Sequence, residues 1–360
     1  MRIKPSLVSE NNKKREFLDF PKFERYIDLN VGNGDLLLSI NPKTPCFIND
    51  TNNILIDFYK NLSNQELLNE LDKLANAWNL LKDFSYFSSD EIFITFQDLL
   101  KEIITLEDSE YIIRAITLMN MDNDKFNSLF NRSVLVNLDL FTSSIIKSII
   151  SEFKKIKLAF AHIENVVINE EFRKMIETAF KYGFFNHFQN ILNLQNTEFI
   201  NIIDQNKCFS LWYFLSQTCK GRFNYVVKES HNNKYGGEEN NNLDLSEIVK
   251  KFKSEAFNAI LSTCNFSSCS YSELLDSLSP VETDFICGDF RSSNYFSASS
   301  KDVFVKNDLE KAIEKLIQSK SKWLLIFSSS KYIDLMRNNA SINIECTEHK
   351  EKTFFTAKNY

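Results

Sequence analysis

Glycine is scarce in this chain, and the positions of its glycines constrain the fold more than any other feature of the sequence. Glycine accounts for 7 of the 360 residues, where average usage of about 7% would give roughly 25. Because glycine serves mainly where the backbone turns sharply or lies against a ligand, each one marks a candidate turn or site. Three short segments hold six of them: Gly32 and Gly34, then Gly221, Gly236 and Gly237, and finally Gly288.

The middle of the chain, from residue 63 to about 210, predicts long helices. It contains one glycine, Gly183, and no proline, so little in it forces a helix to stop. Ser63-Asn64-Gln65-Glu66 matches a capping box at the start of the first helix. Apolar side chains recur at helical spacing over residues 91–106, 109–119, 135–160 and 170–194. We expect a packed helical bundle, although periodicity does not separate core aromatics from aromatics that contact a partner.

Composition favours a soluble cytoplasmic protein without a metal. The 43% hydrophobic content can bury a large core, but no apolar run approaches the roughly 20 residues of a membrane span. The N-terminus is charged rather than signal-like. The seven cysteines are scattered singly, which favours reduced thiols, and the four histidines show no ligand-like spacing.

The net charge of −6 argues against a protein that coats nucleic acid non-specifically. Residues 207–237 nevertheless carry five basic residues against one acidic residue, a local balance of 5 − 1 = +4. This segment is the best candidate for contact with a polyanion. A solvated loop with a chance excess of lysine would explain the same charges.

The first glycine pair lies in a pattern of strand, turn and helix. Residues 26–31 are apolar and β-rich, Gly32-Asn33-Gly34 can turn, and residues 35–40 can begin a helix. A second strand, residues 46–50, ends in Asp50, where nucleotide-binding folds place an acidic residue that binds ribose hydroxyls. A plain hairpin or βα turn would give nearly the same pattern.

The continuation of this pattern resembles one enzyme family. Residues 48–62 contain Asn-Asp-x-Asn, an apolar pair and then Tyr-Lys, and this resembles the second motif of the DNA adenine methylase type of adenine-N6 methyltransferase. Further blocks similar to that family follow in its order: residues 214–225 and 232–236 (its DNA-contacting hairpin), 265–275 (before the catalytic motif), 323–330 and 353–360. The resemblance covers roughly the first 62 and the last 150 residues, and the order of the blocks carries it.

The resemblance implies an architecture, a cofactor and a set of site residues. The fold would be a Rossmann-like class I methyltransferase fold, α/β, built from residues 1–62 and 262–360. A large, mostly helical domain at 63–261, with a hairpin near 219–237, would be inserted for DNA recognition or partner binding. The cofactor would be S-adenosylmethionine, bound by Lys13, Asp28, Gly32, Gly34, Asp50 and Ser270. DNA would be bound by Lys14, Arg15, Arg222, Asn224, Lys228 and Lys234.

The departures from the family cluster where the chemistry would take place. The family's Asp-Pro-Pro-Tyr presents a side-chain and a backbone oxygen to the amine of a flipped adenine, while the aromatic ring stacks on the base. Here Asp289 remains, but Phe290, Arg291 and Ser292 replace the other three residues. Phe290 is the aromatic that could still stack, and Arg291 could pair with Asp289 or contact phosphate.

The cofactor motifs are also incomplete. Of the family's glycine-rich N-terminal loop, this chain keeps only Lys13. Asn30 stands where the family has an aromatic residue. Ser270 stands where the family has the acidic residue that is expected to bind the adenine amine of the cofactor. We therefore expect a catalytically impaired relative that binds DNA or serves as a structural partner of an active nucleic-acid enzyme, such as a restriction-modification system. The alternatives are an active adenine-N6 methyltransferase, in which Asp289 accepts from the amine, and a sensor that binds another nucleotide.

Overall fold

The chain forms two compact units. The computed structural model describes residues 20–32, 34–159, 170–197, 203–220, 233–290, 300–328, 330–337, 339, 341–349 and 352–360. One unit, here called the sheet unit, comprises the chain up to Ser63 together with Phe252–Tyr360, and the other, the helical unit, is Asn64–Lys251. The boundaries therefore fall after residues 63 and 251, whereas the sequence placed them after residues 62 and 261.

The sheet unit contains a seven-stranded, mostly parallel sheet. Its strands are β1 Arg25–Asp28, β2 Cys46–Asn49, β3 Cys264–Ser267, β4 Asp284–Phe290, β5 Lys322–Phe327, β6 Asn343–His349 and β7 Lys352–Lys358. Their order is β3-β2-β1-β4-β5-β7-β6. Strands β1 to β5 pair with one another in parallel, and β7 is antiparallel to both β5 and β6. The predicted α/β class is confirmed.

Helices cover much of the rest of the described chain. In chain order they are α1 Asp35–Ile40, α2 Asn53–Asn61, α3 Gln65–Leu100, α4 Leu106–Met121, α5 Arg132–Leu135, α6 Leu138–Ala159, α7 Glu170–Thr197, α8 Gln205–Thr218, α9 Leu245–Lys253, α10 Glu255–Ser262, α11 Tyr271–Leu278, α12 Ser300–Gln318 and α13 Lys331–Met336. Helices α3 to α8 belong to the helical unit, whereas α1, α2 and α10 to α13 belong to the sheet unit.

None of the helices in the described ranges combines the length and the apolar character needed to cross a bilayer.

The central strands are buried on both faces, as parallel strands usually are. On one face, Ile27 and Ile286 lie in a core cluster with apolar residues of α11, α12 and α13. On the other face, Tyr26 and Phe285 are fully buried, and Phe23 stacks on Phe285 with ring centroids 5.4 Å apart. This two-sided burial holds the ends of β1 and β4 rigidly side by side.

The helical unit has its own aromatic core. Trp78, Phe84, Phe96 and Phe180 are fully buried, and edge-to-face contacts connect them with neighbouring rings, such as Phe84 and Phe180 at 5.3 Å. Such contacts add to the free energy gained from burying the rings. This unit therefore has a hydrophobic core of its own.

Two sequence-based helix limits were wrong. The N-cap of α3 is Asn64 rather than Ser63, because the Asn64 side chain accepts from the backbone N–H of Glu66 at 2.9 Å. The helix expected over residues 91–106 is divided between α3 and α4. Glu102 has φ 58 after the end of α3, and Thr105 begins α4 with a capping box to Asp108. These local hydrogen bonds end one helix and start the next despite the continuous apolar periodicity.

Candidate functional site

The strand order of the sheet reverses between β1 and β4. From β1 the sheet extends through β2 to β3 on one side, and from β4 to β5 on the other. In open α/β sheets, ligands bind in the crevice outside the carboxyl ends of the strands at such a switch point. The candidate site lies at these ends. It involves Asn30, two residues after β1, Asp50, which directly follows β2, and Asp289, the penultimate residue of β4.

A tight turn after β1 forms one wall of the candidate site. Gly32 and Gly34 have φ angles of 50° and 77°, values that favour glycine. The backbone N–H of Gly34 donates to Val31 O at 2.8 Å, and the Tyr59 hydroxyl donates to Gly32 O at 3.1 Å. A Cβ atom on Gly34 would lie 2.6 Å from the Tyr59 hydroxyl oxygen. Both the backbone conformation and the close approach of Tyr59 therefore require glycine at position 34.

The Asn-Asp-x-Asn motif surrounds this turn. Asp50, 6% exposed, accepts from the backbone N–H of Gly32 at 3.1 Å and of Asn52 at 2.9 Å. Asn52 caps α2 by accepting from Ile54 N at 3.1 Å. Asn49 is fully buried and donates to Leu29 O and to Cys269 O, each at 3.1 Å. The motif thus fixes the ends of three neighbouring strands relative to the glycine turn.

Asp28 supports the turn from inside the protein. It is 1% exposed and accepts from the Tyr26 hydroxyl at 2.9 Å and from Asn30 N at 3.2 Å. Burial raises the pKa of the Asp28 carboxyl to about 7; the two hydrogen bonds oppose this rise, and the nearby Asp289 and Asp50 add to it. The side chain therefore faces protein groups and positions the turn instead of opening into the crevice.

Asn30 joins the end of β1 to β4. Its Nδ2 donates to the backbone oxygen of Asp289 at 2.8 Å, and its Oδ1 accepts from the Tyr271 hydroxyl at 3.2 Å. Asn30 is only 4% exposed. Asn30 thus forms a polar bridge at the switch point, next to the half-buried Asp289.

Phe290 packs into the core of the sheet unit. It is 2% exposed, stacks on Phe327 at 5.6 Å between centroids and meets Tyr271 edge-on at 5.4 Å. A Cβ atom on Gly288 would lie 2.5 Å from this ring, so the absence of a side chain at position 288 gives the ring its space. The ring therefore lies in the core of the sheet unit and not at the crevice.

The region around Ser270 is occupied by helix capping. The Ser270 side chain accepts from Glu273 N at 3.4 Å, and Glu273 accepts from Ser270 N at 3.2 Å. Asp308, from α12, accepts from the backbone N–H of Tyr271 at 2.6 Å and of Ser272 at 3.1 Å, and also from the Ser272 hydroxyl. Protein side chains thus satisfy the first backbone N–H groups of α11.

Sequence reasoning missed three residues that organise this site: Asn30 as a bridge, Asn49 as a link between strand ends, and Asp308 as a cap. Asn30 and Asn49 could have been found, because each is a polar residue at the end of an apolar strand, where its side chain must find a partner. Asp308 gave no such signal, since it lies 37 residues from the N–H group that it accepts from.

The other predicted residues fall mostly outside the described part of the chain. These are Lys13, Lys14, Arg15, Arg222, Asn224, Lys228, Arg291 and Ser292. Lys234 is described and exposed, and its backbone oxygen accepts from Lys220 N at 2.6 Å. An antiparallel bridge pairs Cys219 with Tyr235. The two ends of the segment predicted to be a hairpin therefore lie side by side within the helical unit.

Within the described ranges, no group of three or more histidine, cysteine, aspartate or glutamate side chains could hold a metal ion. In comparisons with known proteins, no protein-family model matches the chain and no curated protein is significantly similar to it.

Proposed function

We propose that this chain is a DNA adenine-N6 methyltransferase-like protein that has lost most or all methyl transfer and acts as a DNA-binding or structural subunit beside an active nucleic-acid enzyme. The strand order is the observation that carries the proposal. The classic dinucleotide-binding sheet has the order 3-2-1-4-5-6; this sheet keeps the first five positions and inserts the antiparallel β7 between β5 and β6. That insertion is what a class I methyltransferase fold leads us to expect.

The ribose end of S-adenosylmethionine fits the retained residues. Asp50 lies at the end of β2, and a carboxylate that accepts two backbone hydrogen bonds still has lone pairs for hydroxyl groups. Gly32 and Gly34 would present backbone without side chains beside it. When bound, the cofactor would supply an activated methyl group.

The adenine end fits less well. Ser270 is engaged in the capping box, and Asp308 accepts from the backbone N–H groups of Tyr271 and Ser272. An adenine ring would have to compete with these hydrogen bonds for its own donors and acceptors. We therefore expect weak binding of the cofactor.

The surroundings of Asp289 support impaired catalysis. Methyl transfer to an amine needs acceptors held within a near-attack geometry, and the family adds an aromatic ring over the base. Here the next aromatic ring, Phe290, is buried against Phe327 and Tyr271. Asp289 itself is half-buried at the end of β4, which is the observation that favours the alternative of an active enzyme.

The helical unit supports the part of the proposal that concerns partners. Several large apolar side chains on α3 and α4 are exposed to solvent, among them Tyr111 at 77% and Met119 at 74%. Apolar surface of this kind is common where proteins associate. The exposed Lys234 at the end of the proposed hairpin offers a contact to phosphate.

Calorimetric titration of S-adenosylmethionine into the full chain tests the cofactor site. We expect weak binding that is lost in Asp50→Ala and retained in Asp57→Ala, because Asp57 is an exposed carboxylate on α2 that pairs with Lys60. Circular dichroism of both variants would exclude unfolding as the cause. If the wild-type chain shows no binding, the proposed cofactor site is wrong.

Two further arms of this experiment separate impairment from activity and test DNA binding. Labelled methyl groups transferred to adenine in duplex DNA, and lost in Asp289→Ala, would overturn the proposed impairment. Lys234→Glu should weaken binding of duplex DNA and reduce its salt dependence, since fewer counterions are released. Affinity that is unchanged in Lys234→Glu and insensitive to salt would remove the hairpin from the DNA interface.

A further inference from the structure

Two cysteines that are distant in the sequence face each other across the sheet. Cys46 and Cys264 are register partners on the adjacent parallel strands β2 and β3. Partners of this kind point to the same face of a sheet, and their Cα atoms lie about 4.8 Å apart by strand spacing. Disulfides require Cα separations of about 4.4–6.8 Å. The backbone therefore brings these thiols within bonding range.

The two thiols influence each other's protonation. Hydrogen bonding between them favours loss of the first proton from the pair and opposes loss of the second, so it lowers the pKa of one thiol and raises the pKa of the other. Cys46 is fully buried, whereas Cys264 is partly exposed. The Thr263 hydroxyl lies 3.8 Å from Cys46 Sγ, and Cys264 Sγ lies 3.2 Å from Ile260 O. The pair thus combines one partly exposed thiol with one buried thiol, and it can hold one thiolate beside one protonated thiol.

We infer that Cys46 and Cys264 form a redox-modification site, at which a small disulfide such as oxidised glutathione converts the two thiols into an intramolecular disulfide. The accessible Cys264 thiolate attacks the glutathione disulfide, forms a mixed disulfide and releases one glutathione. The Cys46 thiolate then attacks the Cys264 sulfur, so that the second glutathione leaves as its thiol. Two protein thiols lose two electrons and two protons, which reduce one glutathione disulfide to two glutathione molecules.

The position of the pair determines what its oxidation changes. Cys46 and Cys264 begin β2 and β3, at the end of these parallel strands opposite to the candidate crevice. The bond would join the two chain segments of the sheet unit and fix β3, which is terminal in the strand order. Oxidation should leave the glycine turn and Asp50 in place, so the inference does not depend on the proposed function.

The test uses the wild-type full chain. The protein is incubated with oxidised glutathione, the remaining thiols are alkylated after unfolding, and the digest is analysed by mass spectrometry. We expect a linked peptide pair that contains Cys46 and Cys264, and we expect dithiothreitol to reverse the link. Alkylated Cys46 and Cys264 after glutathione treatment of the folded chain would overturn the inference, as would a link that forms only in urea.

Variants test the proposed order of attack. Cys46→Ser should accumulate glutathione on Cys264, because the resolving thiol is missing. Cys264→Ser should leave Cys46 unmodified, since it is fully buried. The matched control Cys208→Ser should still give the linked pair. Equal glutathione modification of Cys46 in Cys264→Ser would show that the accessible thiol does not initiate the reaction and would contradict the proposed site.

Discussion

At the scale of single residues, Asp28 couples the stability of the sheet unit to pH. An unfolded aspartate has a pKa of about 3.9, whereas burial raises the pKa of folded Asp28 to about 7. Between these values the folded chain binds a proton that the unfolded chain has lost. The contribution of Asp28 to stability is therefore greatest below about pH 4, falls as the pH rises towards 7 and then stays constant. The full change is up to about 4 kcal/mol.

Asp28→Asn should remove this pH dependence. An asparagine can accept from Asn30 N through its oxygen and donate from its amide group to the Tyr26 hydroxyl, which can act as an acceptor. We expect hydrogen-exchange protection factors in β1 and β4 to fall from pH 5 to pH 8 in the wild type and to stay nearly level in the variant. Asp57→Asn, at an exposed position on α2, is the control. Identical slopes in the wild type and Asp28→Asn would contradict the assignment.

At the scale of secondary-structure elements, α11 and α12 share a buried helix cap and an exposed ion pair. Asp308 is 6% exposed and accepts from backbone N–H groups at the start of α11. Lys315 pairs with Asp276, and these side chains are 39% and 66% exposed. Removal of the buried carboxylate leaves helix N–H groups without partners, whereas an exposed ion pair contributes little.

Asp308→Ala should therefore destabilise the sheet unit far more than Asp276→Ala. We expect a loss of about 3 kcal/mol for the first variant and less than about 0.5 kcal/mol for the second. Hydrogen exchange in α11 and β4, measured by mass spectrometry in both variants, reports the opening free energy of this unit. Equal losses in the two variants would mean that the Asp308 cap does not hold α11 in place.

At the scale of the whole molecule, local patterns predicted the elements near the site but not the contacts that complete it. The strand, glycine turn and helix around Gly32 and Gly34 follow from local backbone requirements, and the limits of β1, α1 and β2 lie within three residues of those that the sequence predicts. The pairing of β1 with β4 and of Cys46 with Cys264 joins strands more than 200 residues apart in sequence. Periodicity and local motifs carry no information about register across such a distance.

The sheet unit is built from two segments that are distant in sequence, so the two units should differ in their ability to fold as isolated fragments. The sheet unit takes β1 and β2 from its first segment and β3 to β7 from its second, and β2 lies between β3 and β1. A fragment of residues 20–63 then has only two strands, too few for a stable sheet. The helical unit is one continuous segment, Asn64–Lys251, and it keeps a core that includes the fully buried Trp78, Phe96 and Phe180.

Residues 64–251 expressed alone should therefore fold, and residues 20–63 should not. We expect the longer fragment to show strong helical circular dichroism, a near-ultraviolet signal from the buried Trp78 and a cooperative thermal transition. The short fragment should show neither a near-ultraviolet signal nor a cooperative thermal transition. A broad, non-cooperative transition with strong dye binding in residues 64–251 would indicate a loosely packed state, and it would mean that this aromatic core needs the rest of the chain to form.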